Sequence, residues 1–412
     1  MLSPRTPPSL NEIATISGGR DITRPFLDPL GNLLLPQDEL LLLKGEAGWR
    51  ALELYEKLRQ DDQVGACLQQ RFTAVTQSEW EVLPGVTRGR EVSEADLRAA
   101  DFVREQLSQG CNFDEVSRLQ LWGVHYGFSV AELLYAQDGR YVVLDEGRGG
   151  IRVRDRKRFR FDRERRPRLV TPAEPSGEAL PDNKFWVFSV GADHSDDPYG
   201  RGLGYWLYWP VWFKRNGLKF WLFFLEKFGQ PTAVGKYSAG TSRSDQDKLL
   251  EALGAILTDG GIILPEGLEI SLLEAKRSGS ADYDAVYQLM DAAISKICLS
   301  QTMTTDSGAS RSQAEVHAGV AERVVKSDAD LLCASLNSGP VRWIVDFNRP
   351  ALGEDAAYPQ VWRRIEKPED LATRAEREPK IYQVGYSLSP EQHEAVYGEG
   401  YQYVGTDSDR GL

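Results

Sequence analysis

Apolar residues recur at helical spacing early in the chain. Leu52, Leu54, Tyr55 and Leu58, then Val64, Ala66 and Leu68, predict helix between Gly48 and Thr76. Asp61-Asp62 marks the start of a second helix there, because acids favour a helix N-terminus. WEVLPG (80–85) alternates like a strand and ends in Pro-Gly. Ser93 to Gln109 predicts another helix, opened by Ser93 and Asp96 as a looser capping box. Helix continues from Phe113 to Tyr126. Phe128–Tyr135 and Tyr141–Leu144 flank Gln137-Asp138-Gly139, a hairpin signal. Further β pattern falls at 151–161, 167–171 and 184–190. Residues 1–45 hold several prolines and the leucine-rich LLLPQDELLLL. They predict an extended arm with apolar anchors, of the kind that lies on a neighbouring subunit.

The second half opens on GYWLYWPVWFKRNGLKFWLFFLEKF (204–228), which holds 11 of the 41 aromatic residues. Pro210 suits a first helical turn, and Gly229 with Pro231 suits a helix end, so a helix is expected from Pro210 to about Phe228. On a helical wheel Arg215, Asn216, Lys219, Glu226 and Lys227 fall within roughly one third of the circle, and only Lys214 lies opposite. A helix so widely apolar must touch partners on several sides. Short strands at 232–238 and 261–273 enclose a helical segment rich in leucine, a small α/β insertion. A second long helix is expected at 280–299, striped by Val286, Leu289, Met290, Ala293, Ile294 and Ile297. The polar SQTMTTDSGASRSQAEVHAG (300–319) reads as a loop. Either Ser310 with Gln313 or Ser312 with Glu315, the latter a true capping box, is expected to cap the helix that follows toward Asn337. Gly339-Pro340 breaks it, and the chain ends in a polar tail with one short helical hint near Ser389 to Val396.

The formal charge of −12 changes the functional picture, since a dedicated duplex binder usually carries the opposite sign. Contact with nucleic acid is then local or weak. Lys214, Arg215, Lys219, Glu226 and Lys227 argue against a membrane span at the aromatic run. The N-terminus carries no apolar core of signal-peptide length. Cys67, Cys111, Cys298 and Cys333 are scattered, which fits buried free thiols rather than a zinc site. Arg152, Arg154, Arg156, Arg158 and Arg160 recur at period two. On a strand they would form one stripe, either an acid- or phosphate-binding face or a solvated one matched to a neighbour's acids. Asp193, His194, Asp196 and Asp197 read as a solvated turn more readily than as metal ligands. No Walker motif, GxSxG or HExxH occurs, so no catalytic residue, cofactor or metal is expected and the chain is not read as an enzyme.

The order of parts resembles the portal proteins of Mu-like tailed phages. The resemblance rests on WEVLPG, on RKRFRFD (156–162), on the run from Asp197 to Tyr237, on SQTMTTDSGASRSQAEVH (300–317) and on VDFN (345–348). It implies an α+β portal fold: N-terminal arm 1–45, wing 46–203, first stem helix 204–229, clip 230–278, second stem helix 279–299, tunnel loop 300–312, long helix and return to the wing 313–366, and a short C-terminal helical crown or tail 367–412. It also implies a ring, usually of twelve subunits, at one capsid vertex of the virion, assembled in the host cytoplasm. Double-stranded DNA would pass through weakly and without sequence preference. The implied partners are further copies of the chain, the terminase large subunit, a head-completion or neck adaptor, and capsid and scaffold proteins, with no membrane.

Under that resemblance Gln301, Thr302, Thr304, Thr305, Ser307, Ser310 and Arg311 form the tunnel loop. Arg311 either contacts phosphate or serves in capping or a structural ion pair. Arg215, Lys219 and Lys227 either line the channel or pair with acids on the neighbouring stem. Trp209, Trp212, Phe220, Trp221 and Phe224 are the expected subunit seam. A peripheral membrane or ligand-binding protein using the aromatic helix is the alternative, weakened by the mixed charge of its polar face.

Overall fold

The computed structural model describes residues 34, 49–87, 89–228, 232–256, 269–273, 283–301, 311–365 and 376–380. Contacts divide the chain into two units, Met1–Arg364 and Ile365–Leu412. Of the second unit, 376–380 is helical. The remainder of the expected crown or tail after residue 366 lies outside the described residues.

Two helices open the first unit, α1 (Trp49–Leu58) and α2 (Asp62–Thr76). Asp61 caps α2 by accepting from the backbone N–H groups of Gln63 and Val64, which satisfies donors that lack an intrahelical partner. Strand β1 (Trp80–Leu83) pairs antiparallel with β12 (Gln360–Arg363), so the chain returns to its start. Arg363 locks this return. Its buried guanidinium donates to the Ser78 carbonyl at 2.9 Å, Asp114 at 2.7 Å and Ser117 Oγ at 3.0 Å. Helix α3 (Glu94–Ser108) begins with the full Ser93/Asp96 capping box. The expected helix at 113–126 forms as α4 (Phe113–Gln120) and α5 (Trp122–Tyr126).

Strand β2 (Phe128–Leu133) lies between β5 (Ile151–Arg154) and β9 (Phe185–Ser189), antiparallel to both. The hairpin forms as β3 (Tyr135–Asp138) and β4 (Tyr141–Leu144), with Gly139 at φ 56° in its turn. A third sheet holds β6 (Phe159–Phe161), β7 (Pro167–Leu169) and β8 (Glu178–Ala179). Phe128, Val130, Phe159, Phe161 and Tyr199 form a core that also takes Leu34 from the N-terminal leucine patch. Leu34 N–H donates to Phe161 O at 2.8 Å, and Tyr199 OH donates to Leu34 O at 2.9 Å.

The arginine stripe does not form. Asp155 accepts from Lys157 N–H and turns Arg156–Arg158 into a 3₁₀ helix, which breaks the alternation. Arg152 donates to the Arg148 carbonyl and Arg154 to Glu132. Arg156 stacks 3.9 Å over the Tyr126 ring, and Arg160 is buried on Phe159 O. In the acidic turn, Asp197 accepts from Tyr199 N–H and Asp196 N–H donates to His194 Nδ1.

The aromatic helix α6 spans Leu203–Phe228, so it begins seven residues before Pro210 rather than at it. Proline interior to a helix forfeits a hydrogen bond. Packing of the earlier turns outweighs this: Leu207 and Val211 are fully buried, and a Cβ on Gly204 would stand 2.7 Å from the Tyr55 ring. The insertion follows as β10 (Thr232–Lys236), α7 (Arg243–Ile256) and β11 (Glu269–Leu273), with β10 and β11 antiparallel.

Helices α8 (Tyr283–Leu299), α9 (Arg311–Ser338) and α10 (Pro340–Leu352) complete the unit. VDFN lies on α10. Its Asn348 side chain grips both the N–H and the C=O of Val142 at 2.8 Å, covering the open edge of β4. Asn337 does the same to Val361 on β12, at 2.8 and 2.9 Å. All four cysteines are buried and free.

Candidate functional site

Helices α6 and α8 run antiparallel side by side. Lys214 meets Asp291 near the base of the pair, and the Phe224 ring lies 5.8 Å from Tyr283 further out. Lys214 is the one charge that the helical wheel sets apart from the polar stripe. It is 4 % exposed, and its Nζ lies 2.6 Å from Asp291, 2.5 Å from Asp62 and 3.2 Å from Asp61. The Tyr287 ring lies 4.7 Å away. One ammonium thus ties the α1–α2 turn, α6 and α8 together.

The protonation states follow from these contacts. Desolvation pulls the Lys214 pKa down, but hydrogen bonds to Asp291 and Asp62 and the Asp61 charge outweigh it and hold the ammonium above the usual lysine range. Burial pushes Asp291 up, against the pull of Lys214. Asp62 is held low, mainly by its hydrogen bond to Lys214.

A second buried pair anchors the far end of α8. Arg71 on α2 holds Asp328 on α9 with two bonds of 2.5 and 2.7 Å, and donates to the Cys298 carbonyl at 2.6 Å. The Cys298 carbonyl belongs to the last turn of α8, where acceptors lack intrahelical donors. Gln63 adds a 2.6 Å bond to Ser295 Oγ. The helix that enters residues 302–310 and the helix that leaves them are therefore both fixed on α2.

This foot carries an unusually bare apolar helix. Trp206, Trp209, Trp212, Phe213, Phe220, Leu222 and Phe223 on α6 are 44–61 % exposed. A monomer gains nothing by showing that much ring surface to water, and exposed apolar surface of this extent marks an interaction face. Of the expected seam, Trp209, Trp212 and Phe220 are exposed, whereas Trp221 and Phe224 are half-buried, Phe224 against Tyr283 of the same chain. Arg215 and Lys219 are exposed on the polar stripe. Arg215 donates to the Lys57 carbonyl at 2.6 Å, and Lys219 sits 5.9 Å from the Phe223 ring. The Lys227 side chain lies outside the described residues.

In the polar loop, Gln301 is 4 % exposed, with its amide turned inward rather than toward a passing ligand. Thr302, Thr304, Thr305, Ser307 and Ser310 lie outside the described residues. Arg311 is the first residue of α9, and its side chain is likewise undescribed. Sequence reasoning missed Asp291, Arg71, Asp328 and Arg363 as organising residues. For Lys214 a signal existed, because it broke the wheel. Among the described residues no group of His, Cys, Asp and Glu is placed to hold a metal ion, and no helix is long and apolar enough to cross a membrane.

Comparison with known proteins agrees with this architecture. The family described as the portal protein of Mu bacteriophage matches residues 52–399. The portal protein of Escherichia phage Mu is 24 % identical over 341 residues, 82 % of this chain and 65 % of that protein. The Mu-like prophage FluMu protein gp29 of Haemophilus influenzae is 25 % identical over 344 residues, 82 % of this chain and 64 % of its own length. The alignments thus span just under two thirds of these relatives. In a structure of the neck of an empty gene transfer agent particle, computed with C6 symmetry, one chain superposes with a TM-score of 0.56 at 10 % identity. It covers 86 % of this chain and 94 % of its own.

Proposed function

Because the chain belongs to the family of portal proteins of Mu bacteriophage, we propose that it is the subunit of a ring, dodecameric in form, at one vertex of a phage capsid. The ring is the channel for genome packaging and ejection and the docking site for the terminase large subunit and a neck adaptor. It is a structural conduit with no catalytic role.

In this reading 46–203 and 313–366 build the wing, α6 and α8 the stem, 230–278 the clip, 300–312 the tunnel loop and 367–412 a short crown. The observation that carries the reading is the bare ring surface of α6, 44–61 % exposed on a helix whose foot is held by buried ion pairs. A rigid helix pair with an uncovered apolar face needs a second copy.

The electrostatics support a conduit as well. Every phosphate neutralised adds affinity, so a channel through which duplex must slide works best with few cationic contacts. A net charge of −12 and a Ser/Thr/Gly-rich loop fit that need. Arg215, Lys219 and Lys227 on the stem and Arg311 at the loop end are the weak contacts available.

Electron microscopy of the purified chain tests the reading. Rings with a central opening wide enough for duplex DNA are expected. A chain that stays monomeric and floats with anionic vesicles would instead favour a membrane-surface role. Deletion within residues 302–310 is expected to leave rings intact while packaging or genome retention fails. Normal packaging by that variant would remove the loop's role.

A further inference from the structure

Two apolar faces on the α6–α8 pair are bare in a single chain, and they differ in kind. On α6, Trp209, Phe213 and Phe220 share one side and are 55 %, 49 % and 60 % exposed. The Trp209 and Phe213 rings lie 6.0 Å apart, so they form a ridge. On α8, Ala285 and Leu289 are exposed and Ala292 is half-buried, followed by exposed Lys296. At about 100° per residue these four fall within an arc of roughly 60°. Tyr287, Asp291 and Ile294, which face Lys214 or the core, occupy the opposite half of α8. The face of Ala285, Leu289 and Ala292 is therefore turned away from its own α6.

We propose that the aromatic ridge of α6 in one copy seats on the Ala285–Leu289–Ala292 face of α8 in the next. The proposal rests on the ring reading above and names the surface that receives the ridge. Unlike faces meeting head to tail make a heterologous contact, the kind a closed ring requires; ridge against ridge would be isologous and would stop at a dimer. Large side chains also interdigitate with small ones across a helix interface, and Ala285 and Ala292 supply the small positions on either side of Leu289.

The register follows from the hairpin. With helices running along a ring axis, rotation leaves every residue at its own height. Lys214 is level with Asp291, and Phe224 with Tyr283. Phe213 is thus level with Ala292, to within about one 5.4 Å turn, and reaches Leu289 of the neighbouring copy. Trp209 comes level with Lys296, where an ammonium over an indole is attractive. Lys219 falls within a turn of the exposed Asp284.

Engineered disulfides test the pairing in assembled rings. The native cysteines are all buried, so mild oxidation reads the introduced pair. Phe213→Cys with Leu289→Cys in one chain is expected to convert most of the monomer band into a ladder of covalent multimers on a non-reducing gel. Each single variant stays monomeric on that gel. Phe213→Cys with Ala292→Cys covers a register shifted by about one turn. Rings seen by microscopy with no ladder from either pair would overturn the pairing and leave the ring reading standing. Dimers from Phe213→Cys alone would overturn it in favour of ridge against ridge. Failure of the unmodified chain to form rings would remove the ring reading, and the pairing with it.

Discussion

The Lys214 ammonium lies 2.6 Å from the Asp291 carboxylate across the α6–α8 pair, with the ammonium buried and the carboxylate half-buried. Asp61 shares the contact at 3.2 Å and is itself buried. Removing one partner of a buried ion pair leaves an uncompensated charge, which typically costs about 3–5 kcal/mol. Lys214→Met is expected to destabilise the chain by that amount in urea unfolding at neutral pH. The folded pKa of Lys214 lies above the ordinary lysine value of 10.5. Its contribution is therefore fully present below pH 10.5 and fades as pH rises through the folded value. Unchanged stability in Lys214→Met would show that the contact holds nothing together.

Arg71 and Asp328 permit a cleaner separation of pairing from burial. Arg71→Met and Asp328→Leu are each expected to cost about 3–5 kcal/mol, since each strands a charge. The double variant is expected to lose less than the sum, because no lone charge remains. A double-mutant cycle by denaturant titration measures the difference. Strict additivity would mean that the two side chains act independently.

His125 makes stability depend on acid. Its ring is fully buried, Nε2 lies 3.0 Å from the Tyr55 carbonyl, and burial lowers its pKa from 6.5 to about 4. Between those values the unfolded chain binds a proton that the folded chain does not. Stability is thus intact above pH 6.5 and falls as pH drops toward 4, by about 3 kcal/mol in all for a shift of this size. His125→Gln is expected to flatten that slope in urea titrations between pH 7 and 4. An unchanged slope would place the acid sensitivity elsewhere.

Trp212→Ala separates folding from assembly. The side chain is 44 % exposed in a single chain, so unfolding stability of the monomer is expected to move by less than about 1 kcal/mol. Ring yield by size-exclusion chromatography is expected to fall several-fold. Trp186→Ala is the contrast: that indole is 1 % exposed and donates to Ser335 Oγ at 3.1 Å. Its loss is expected to cost about 3–5 kcal/mol and to lower the yield of folded chain. Equal behaviour of the two variants would contradict the seam.

Local features of the fold were legible in the sequence by itself. The Ser93/Asp96 box, the Asp61 cap, the hairpin turn at Gly139 and the apolar stripe of α8 depend on neighbours a few residues away, and local sterics and hydrogen bonding set them. The width and polar stripe of α6 were equally plain, as was Lys214 standing off that stripe. What Lys214 touches was not, since Asp61, Asp62 and Asp291 come together only when three segments pack. Pro210 misled for the same reason: burial of Leu207 and Val211 carries α6 back past a residue whose local preference is to begin a helix. The arginine alternation failed because one aspartate-capped turn at Asp155 resets the phase. Periodicity thus decided which helices and strands exist and which faces are apolar. Tertiary packing alone decided which charges are buried, which partners neutralise them, and which rings of the aromatic helix remain uncovered, because desolvation and long-range pairing have no counterpart in local sequence.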